Sequence, residues 1–136
     1  MDPAIEDALT KGEEIELVTT GRVSGRPHSV RLGFAYVDGT VWLRTGERPP
    51  PPDASGVRRR SSLDRETDWL RNLEHDPRCW VRIGSADVEA RYEPSTDPAA
   101  DLRRTVELLR AKYGAEWVGD WYVEMGRIPV RLRLVT

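Results

Sequence analysis

From Glu14 to Thr20, Ile15, Leu17 and Thr19 alternate with Glu14, Glu16 and Val18, the two-residue period of a strand with one buried face. A second alternating run, Ser29 to Val37, is closed by Asp38-Gly39 and followed by a third, Thr40 to Thr45. Asp-Gly between two β-rich runs marks a hairpin, because a type I′ turn needs positive φ at both central residues. The three runs predict an opening meander. Ahead of them, Pro3 to Lys11 predicts a short helix with Asp2 as N-cap and Pro3 at the first helical position.

The alternation then breaks. Gly46 to Leu63 contains four consecutive prolines, Pro49 to Pro52, and the triplet Arg58-Arg59-Arg60. Consecutive prolines exclude helix and central strand, so 46–63 is predicted to be a long, mobile loop. From Asp64 the period becomes helical, with Trp69, Leu70 and Leu73 on one face, until Pro77 stops the helix. Cys79 to Ile83 and Ala86 to Tyr92 predict two strands around Gly84-Ser85. Asp97 or Thr96 caps a helix from Pro98 to about Tyr113, with Leu102, Val106 and Leu109 near one face. Residues Gly114 to Gly126 are aromatic and less regular, and Ile128 to Val135 is a last strand. Six strands with two or three helices predict an α+β domain spanning 1–136, whose mainly antiparallel sheet closes on itself as a small barrel.

Composition narrows the function classes. The net charge of −2 argues against general nucleic-acid binding. That charge is uneven: Arg22 to Arg60 carries eight arginines against Asp38, Glu47 and Asp53, a local cationic field suited to a small anionic ligand. Cys79, the only cysteine, permits no disulfide within the chain. No apolar run is long enough to span a membrane, and the acidic N-terminus lacks a signal-peptide pattern. A soluble cytoplasmic protein is expected. No Ser/His/Asp order, Cys-His pair or zinc-ligand spacing is present, and His28 and His75 do not make a metal site.

Thr19-Thr20-Gly21-Arg22-Val23-Ser24-Gly25-Arg26-Pro27-His28 joins the first two strands. A turn rich in glycine and arginine can hold a phosphate, since guanidinium forks match its oxygens and glycine admits close backbone approach; it can equally be a solvated basic hairpin. With this turn stand the strand pair closed by Asp38-Gly39, the segment Trp69-x-x-Asn72-Leu73-x-x-x-Pro77, and Arg127-Ile128-Pro129-Val130 before the last strand. In this order the motifs resemble the deazaflavin-dependent nitroreductase family, one of the flavin-reductase-like, pyridoxamine-phosphate-oxidase-like split β-barrels, from roughly Glu14 to the C-terminus.

The resemblance implies a six-stranded split barrel, commonly a homodimer, with coenzyme F420 (or FMN in sister families) in a groove. By this likeness Arg22, Ser24, Gly25 and His28, with the Ser29-Val30 backbone, lie along the coenzyme's phosphate and tail. Thr45 and Gly46 sit beside its ring or phosphate, and Trp69 and Asn72 close the groove. Tyr113, Trp117, Trp121 and Tyr122 resemble the substrate-side wall. Val23, His28 and Glu47 stand where family members commonly carry lysine or arginine, so positive charge is missing where an anionic tail would lie. Residue by residue a packing role competes: Trp69 can fill the core as well as stack, and the aromatic cluster can pack the last helix. Two functions follow: reduction of a small planar electrophile (quinone, nitroaromatic or enone) by hydride transfer, or a non-catalytic barrel carrying a flavin-like, haem or other small ligand. In the first the coenzyme carries the chemistry and no catalytic side chain is required.

Overall fold

The computed structural model describes residues 2–44, 62–114 and 128–135, with side chains of 62–67 outside the description. Thr45, Gly46, Trp117, Trp121, Tyr122 and most of the proline- and arginine-rich loop lie outside the described residues. Helix α1 (Pro3–Lys11) begins as expected: Asp2 Oδ1 accepts the Ala4 N–H at 2.8 Å, and Pro3 opens the first turn. Strands β1 (Glu14–Thr20) and β2 (Pro27–Gly33) pair antiparallel, Glu14 opposite Gly33 and Thr20 opposite Pro27. Strands β3 (Ala35–Val37) and β4 (Thr40–Arg44) follow. Asp38 and Gly39 between them have φ of 50° and 77°, the positive pair that a type I′ turn requires.

After helix α2 (Ser62–His75) come β5 (Arg78–Ile83), β6 (Ala86–Glu93), helix α3 (Pro98–Tyr113) and β7 (Pro129–Leu134). The described strands form one antiparallel sheet of seven in the order β2-β1-β5-β6-β7-β4-β3. The fold is α+β, as expected, but with seven strands where the sequence predicted six. The difference lies at Phe34, where the run Ser29 to Val37 divides into β2 and β3. The meander is therefore bent: β2 pairs with β1, and β3 with β4.

The two halves of that run form the opposite edges of the sheet and are joined by Phe34 alone. Successive Cα atoms are about 3.8 Å apart, so the sheet must curl until its edges meet at this corner. The inside that results is filled by Ile15, Leu17, Phe34, Val41, Leu43, Val81 and Leu132, all 1% exposed or less. Helix α2 covers this core with Trp69, Leu70 and Leu73, the face its period predicted. Helix α3 packs elsewhere: Leu102, Val106 and Leu109 meet Ala35 and Trp42 in a second cluster, on the side of β3 and β4 opposite Val41 and Leu43. Cys79 is fully buried and its thiol is pushed up to about 12 by burial, so it is held as an unreactive core residue. No helix among the described residues is long and apolar enough to cross a membrane.

The corner is held from α3. Tyr113 Oη accepts the Phe34 N–H at 3.1 Å and donates to the Glu13 carbonyl. Lys112 Nζ donates to the Phe34 carbonyl at 2.9 Å and sits 3.5 Å from the centre of the Phe34 ring. Burial pushes the Lys112 ammonium down to about 8, with the Glu13 charge opposing.

Phe34→Ala should destabilise the fold by about 3–5 kcal/mol, the usual range for emptying a core aromatic site, measured by urea unfolding. Lys112 generates a pH prediction of definite sign. Between pH 8 and 10.5 it is more protonated unfolded than folded, so stability should rise with pH across that window, the penalty being fully present below it. Tyr36, Tyr92 and Tyr113, whose pKa values are raised chiefly by burial, oppose the rise near the top of the window. In unfolding titrations between about pH 8 and 9.5, Lys112→Met should therefore lose the rise that the parent protein has.

Candidate functional site

The turn between β1 and β2 is closed by its own backbone. The Gly21 N–H donates to the Arg26 carbonyl at 2.8 Å, and the Gly25 N–H to the Gly21 carbonyl at 2.9 Å. Gly25 has φ of 69°, a left-handed conformation that other residues resist. Ser24 Oγ accepts the Arg26 N–H at 3.2 Å and lies 3.2 Å from His28 Nε2. Both side chains crowd over Gly21, where an added Cβ would fall 2.6 Å from the His28 ring and from Ser24 Oγ. The glycine at this place makes room for a Ser–His contact.

Helix α2 is tied to the turn through Asn72, which is 6% exposed. Its Nδ2 donates to Thr19 Oγ1 at 3.2 Å, and its Oδ1 accepts from the Arg22 N–H at 3.2 Å and Arg22 Nη1 at 2.9 Å. Asp68, one helical turn earlier on the same face, completes the tie with Oδ1 3.3 Å from Arg22 Nη2. A carboxamide suits the central position because it donates from one side and accepts from the other.

Between the turn and α2 lies a groove of about 560 Å³. Seven of the residues singled out from the sequence line it together: Arg22, Ser24, His28, Ser29, Val30, Trp69 and Asn72. Gly25 belongs to the turn but is not among the lining residues. Thr19, Gly21, Val23 and Asp68 also line the groove and were not assigned from the sequence. Asp68 had a readable signal, its i,i+4 spacing to Asn72 on a helix, although its partner on the turn did not. Val23, 93% exposed, offers an apolar contact at the rim where a cation was looked for.

Tyr113 is placed elsewhere. Its hydroxyl is bound at Phe34, beyond the far end of β2 from His28, and six strand residues correspond to about 20 Å. It is not among the groove's lining residues. Trp69 is 3% exposed, and its Nε1 is buried with no hydrogen-bond partner among the described residues. A buried unpaired donor costs about 1–3 kcal/mol, and this one belongs to a groove residue. Among the described residues no group of His, Cys, Asp or Glu could hold a metal ion.

No family model matches the chain, and no curated protein matches it. Solved structures do. A FAD-binding protein from Mesorhizobium loti has a TM-score of 0.62 at 15% identity, over 100% of this chain and 91% of its own. A haem storage protein from Vibrio cholerae has a TM-score of 0.66 at 13% identity, over 99% and 90%. An F420-H2-dependent reductase has a TM-score of 0.59 at 17% identity, over 90% and 94%. The fold is the split β-barrel. It is the fold implied by the sequence resemblance, and the likeness, at these identities, is one of fold. Within this barrel the groove is the space between the first hairpin turn and the helix that covers the core.

Asn72→Ala should leave Thr19 Oγ1 and the Arg22 N–H without their partner and cost about 1–3 kcal/mol. In a double-mutant cycle of unfolding free energies, Arg22→Ala should couple to it, since the two side chains share one network.

Proposed function

We infer that the chain is an oxidoreductase that binds a flavin-type coenzyme, deazaflavin F420 or FMN, in the groove. Its substrate is a small planar electrophile such as a quinone, nitroaromatic or enone, and it works as a homodimer. The observation that carries this reading is the groove itself, where the glycine turn, the hydroxyls of Thr19, Ser24 and Ser29 and the apolar Val23 and Val30 face Trp69 and Asn72 of α2. A lining of hydroxyls, a carboxamide and apolar side chains suits a planar heterocycle bearing ring carbonyls, with Val23 and Val30 supplying apolar contacts. The split-barrel fold, shared with a FAD-binding protein and an F420-H2-dependent reductase, supports the same class.

A reduced coenzyme of this kind supplies the hydride when bound. The chain's part is to hold the ring against Trp69 and to position the tail along the turn. Ser24, His28 and the donors of Arg22 that Asp68 and Asn72 leave unused are the groups available to that tail. No general acid or nucleophile is needed for this chemistry.

A second reading is favoured by the engagement of Arg22 with Asp68 and Asn72. It makes the protein a non-catalytic carrier of a flavin-like or haem ligand, and a haem storage protein shares the fold. Titration of the purified protein with F420, FMN and haem, followed by absorbance and fluorescence, separates the two. Binding of F420 or FMN together with turnover of a quinone is the expected result. Haem binding alone would favour the carrier, and no binding of any would end both readings. Ser24→Ala, which removes a hydroxyl that lines the groove, should weaken coenzyme binding by about 1 kcal/mol, roughly fivefold. Light scattering should give twice the monomer mass.

A further inference from the structure

The groove carries its own anion. Asp68 and Arg22 both line it, with side chains 45% and 33% exposed, and Asp68 Oδ1 lies 3.3 Å from Arg22 Nη2. The other terminal nitrogen, Nη1, donates to Asn72 Oδ1 at 2.9 Å and lies 3.5 Å from the Asp68 carbonyl. A guanidinium grips a phosphate with two parallel N–H groups. Here both terminal nitrogens of Arg22 already face α2, one on a carboxylate and one on a carboxamide. Arg71 approaches the same Asp68 oxygen at 3.9 Å, which holds the carboxylate in place from the helix side.

The lining otherwise consists of hydroxyls, a histidine, backbone and apolar side chains. With Arg22 engaged by Asp68 and Asn72, a dianion at this seat must displace Asp68 or sit beside it. We propose that Asp68 is the specificity-determining residue of the groove: its carboxylate occupies Arg22 and reduces, without abolishing, the site's preference for a ring carrying a phosphate tail over the same ring without one. This rests on the reading of the groove as a coenzyme site, and it sets how strongly that site prefers a phosphate-bearing ligand.

Asp68→Asn preserves the side chain's shape and an oxygen acceptor while removing the charge. Riboflavin and FMN share one ring system and differ by a phosphate, so the ratio of their dissociation constants reports the seat alone. In the parent protein the two should bind within about threefold of each other. In Asp68→Asn, FMN should tighten by roughly tenfold with riboflavin unchanged, since each factor of ten is about 1.4 kcal/mol. Inorganic pyrophosphate gives a readout independent of any ring: followed by amide NMR, it should shift the Gly21 to Gly25 signals in Asp68→Asn at concentrations that leave the parent unmoved.

Equal pyrophosphate responses in the two proteins would overturn the proposal, as would an unchanged FMN-to-riboflavin ratio where flavins bind. If neither flavin binds but pyrophosphate seats only in the variant, the flavin reading fails and the role of Asp68 stands. Asp68→Ser, which removes the charge on a side chain already half in solvent, repeats the pyrophosphate comparison should the Asn variant fold poorly.

Discussion

A single residue joins the two edges of the sheet. Because Phe34 connects β2 to β3, and these strands are the outermost members of the order, the sheet cannot lie flat. Curling gives it an inside, and only with an inside do Ile15, Leu17, Val81 and Leu132 become core residues rather than one face of an open sheet. The corner carries backbone polar groups that pass from one edge to the other. Tyr113 and Lys112, both at the end of α3, satisfy the amide and carbonyl of Phe34 from outside the strand. Helix α3 is thus more than a cover, since its last turn closes the joint on which the barrel depends.

The same strand that reaches the corner begins at the groove. Strand β2 starts at Pro27 and His28 beside the turn and ends at Gly33 beside Phe34. The turn is held by internal backbone bonds and by Asn72, a buried carboxamide that contacts Thr19 and Arg22 together. Turn and helix therefore form one connected unit, with the groove between them. Its chemistry, among the described residues, is that of a cleft lined by hydroxyls, a histidine, apolar side chains and one ion pair. Arg22, the residue that makes the turn look like a phosphate cradle, is first a structural tie to α2. Whatever binds there meets Asp68 and Arg22 as a pair.

Much of this was legible from the residues. The Asp38-Gly39 hairpin, the Asp2 cap and the buried face of α2 were readable, whereas the meeting of the turn with Trp69 and Asn72 was implied only by the family resemblance. The division of the second strand was not readable. Val30, Leu32, Phe34 and Tyr36 keep a two-residue alternation straight through the corner, with no proline to mark the bend. Periodicity reports which face a residue occupies, and that face is unchanged; it does not report the partner strand, which switches from β1 to β4.

Sequence alone determined what each segment is: its period, its turn types, its caps and the residue types gathered near the first hairpin. These depend on neighbours a few positions away, and local sterics and hydrogen bonding decide them. Tertiary structure alone decided which groups meet. It put Tyr113 at the strand corner rather than in the groove, and it set Asp68 against Arg22 across 46 positions of chain. Such pairings follow from how the sheet closes, and closure is a property of all seven strands together.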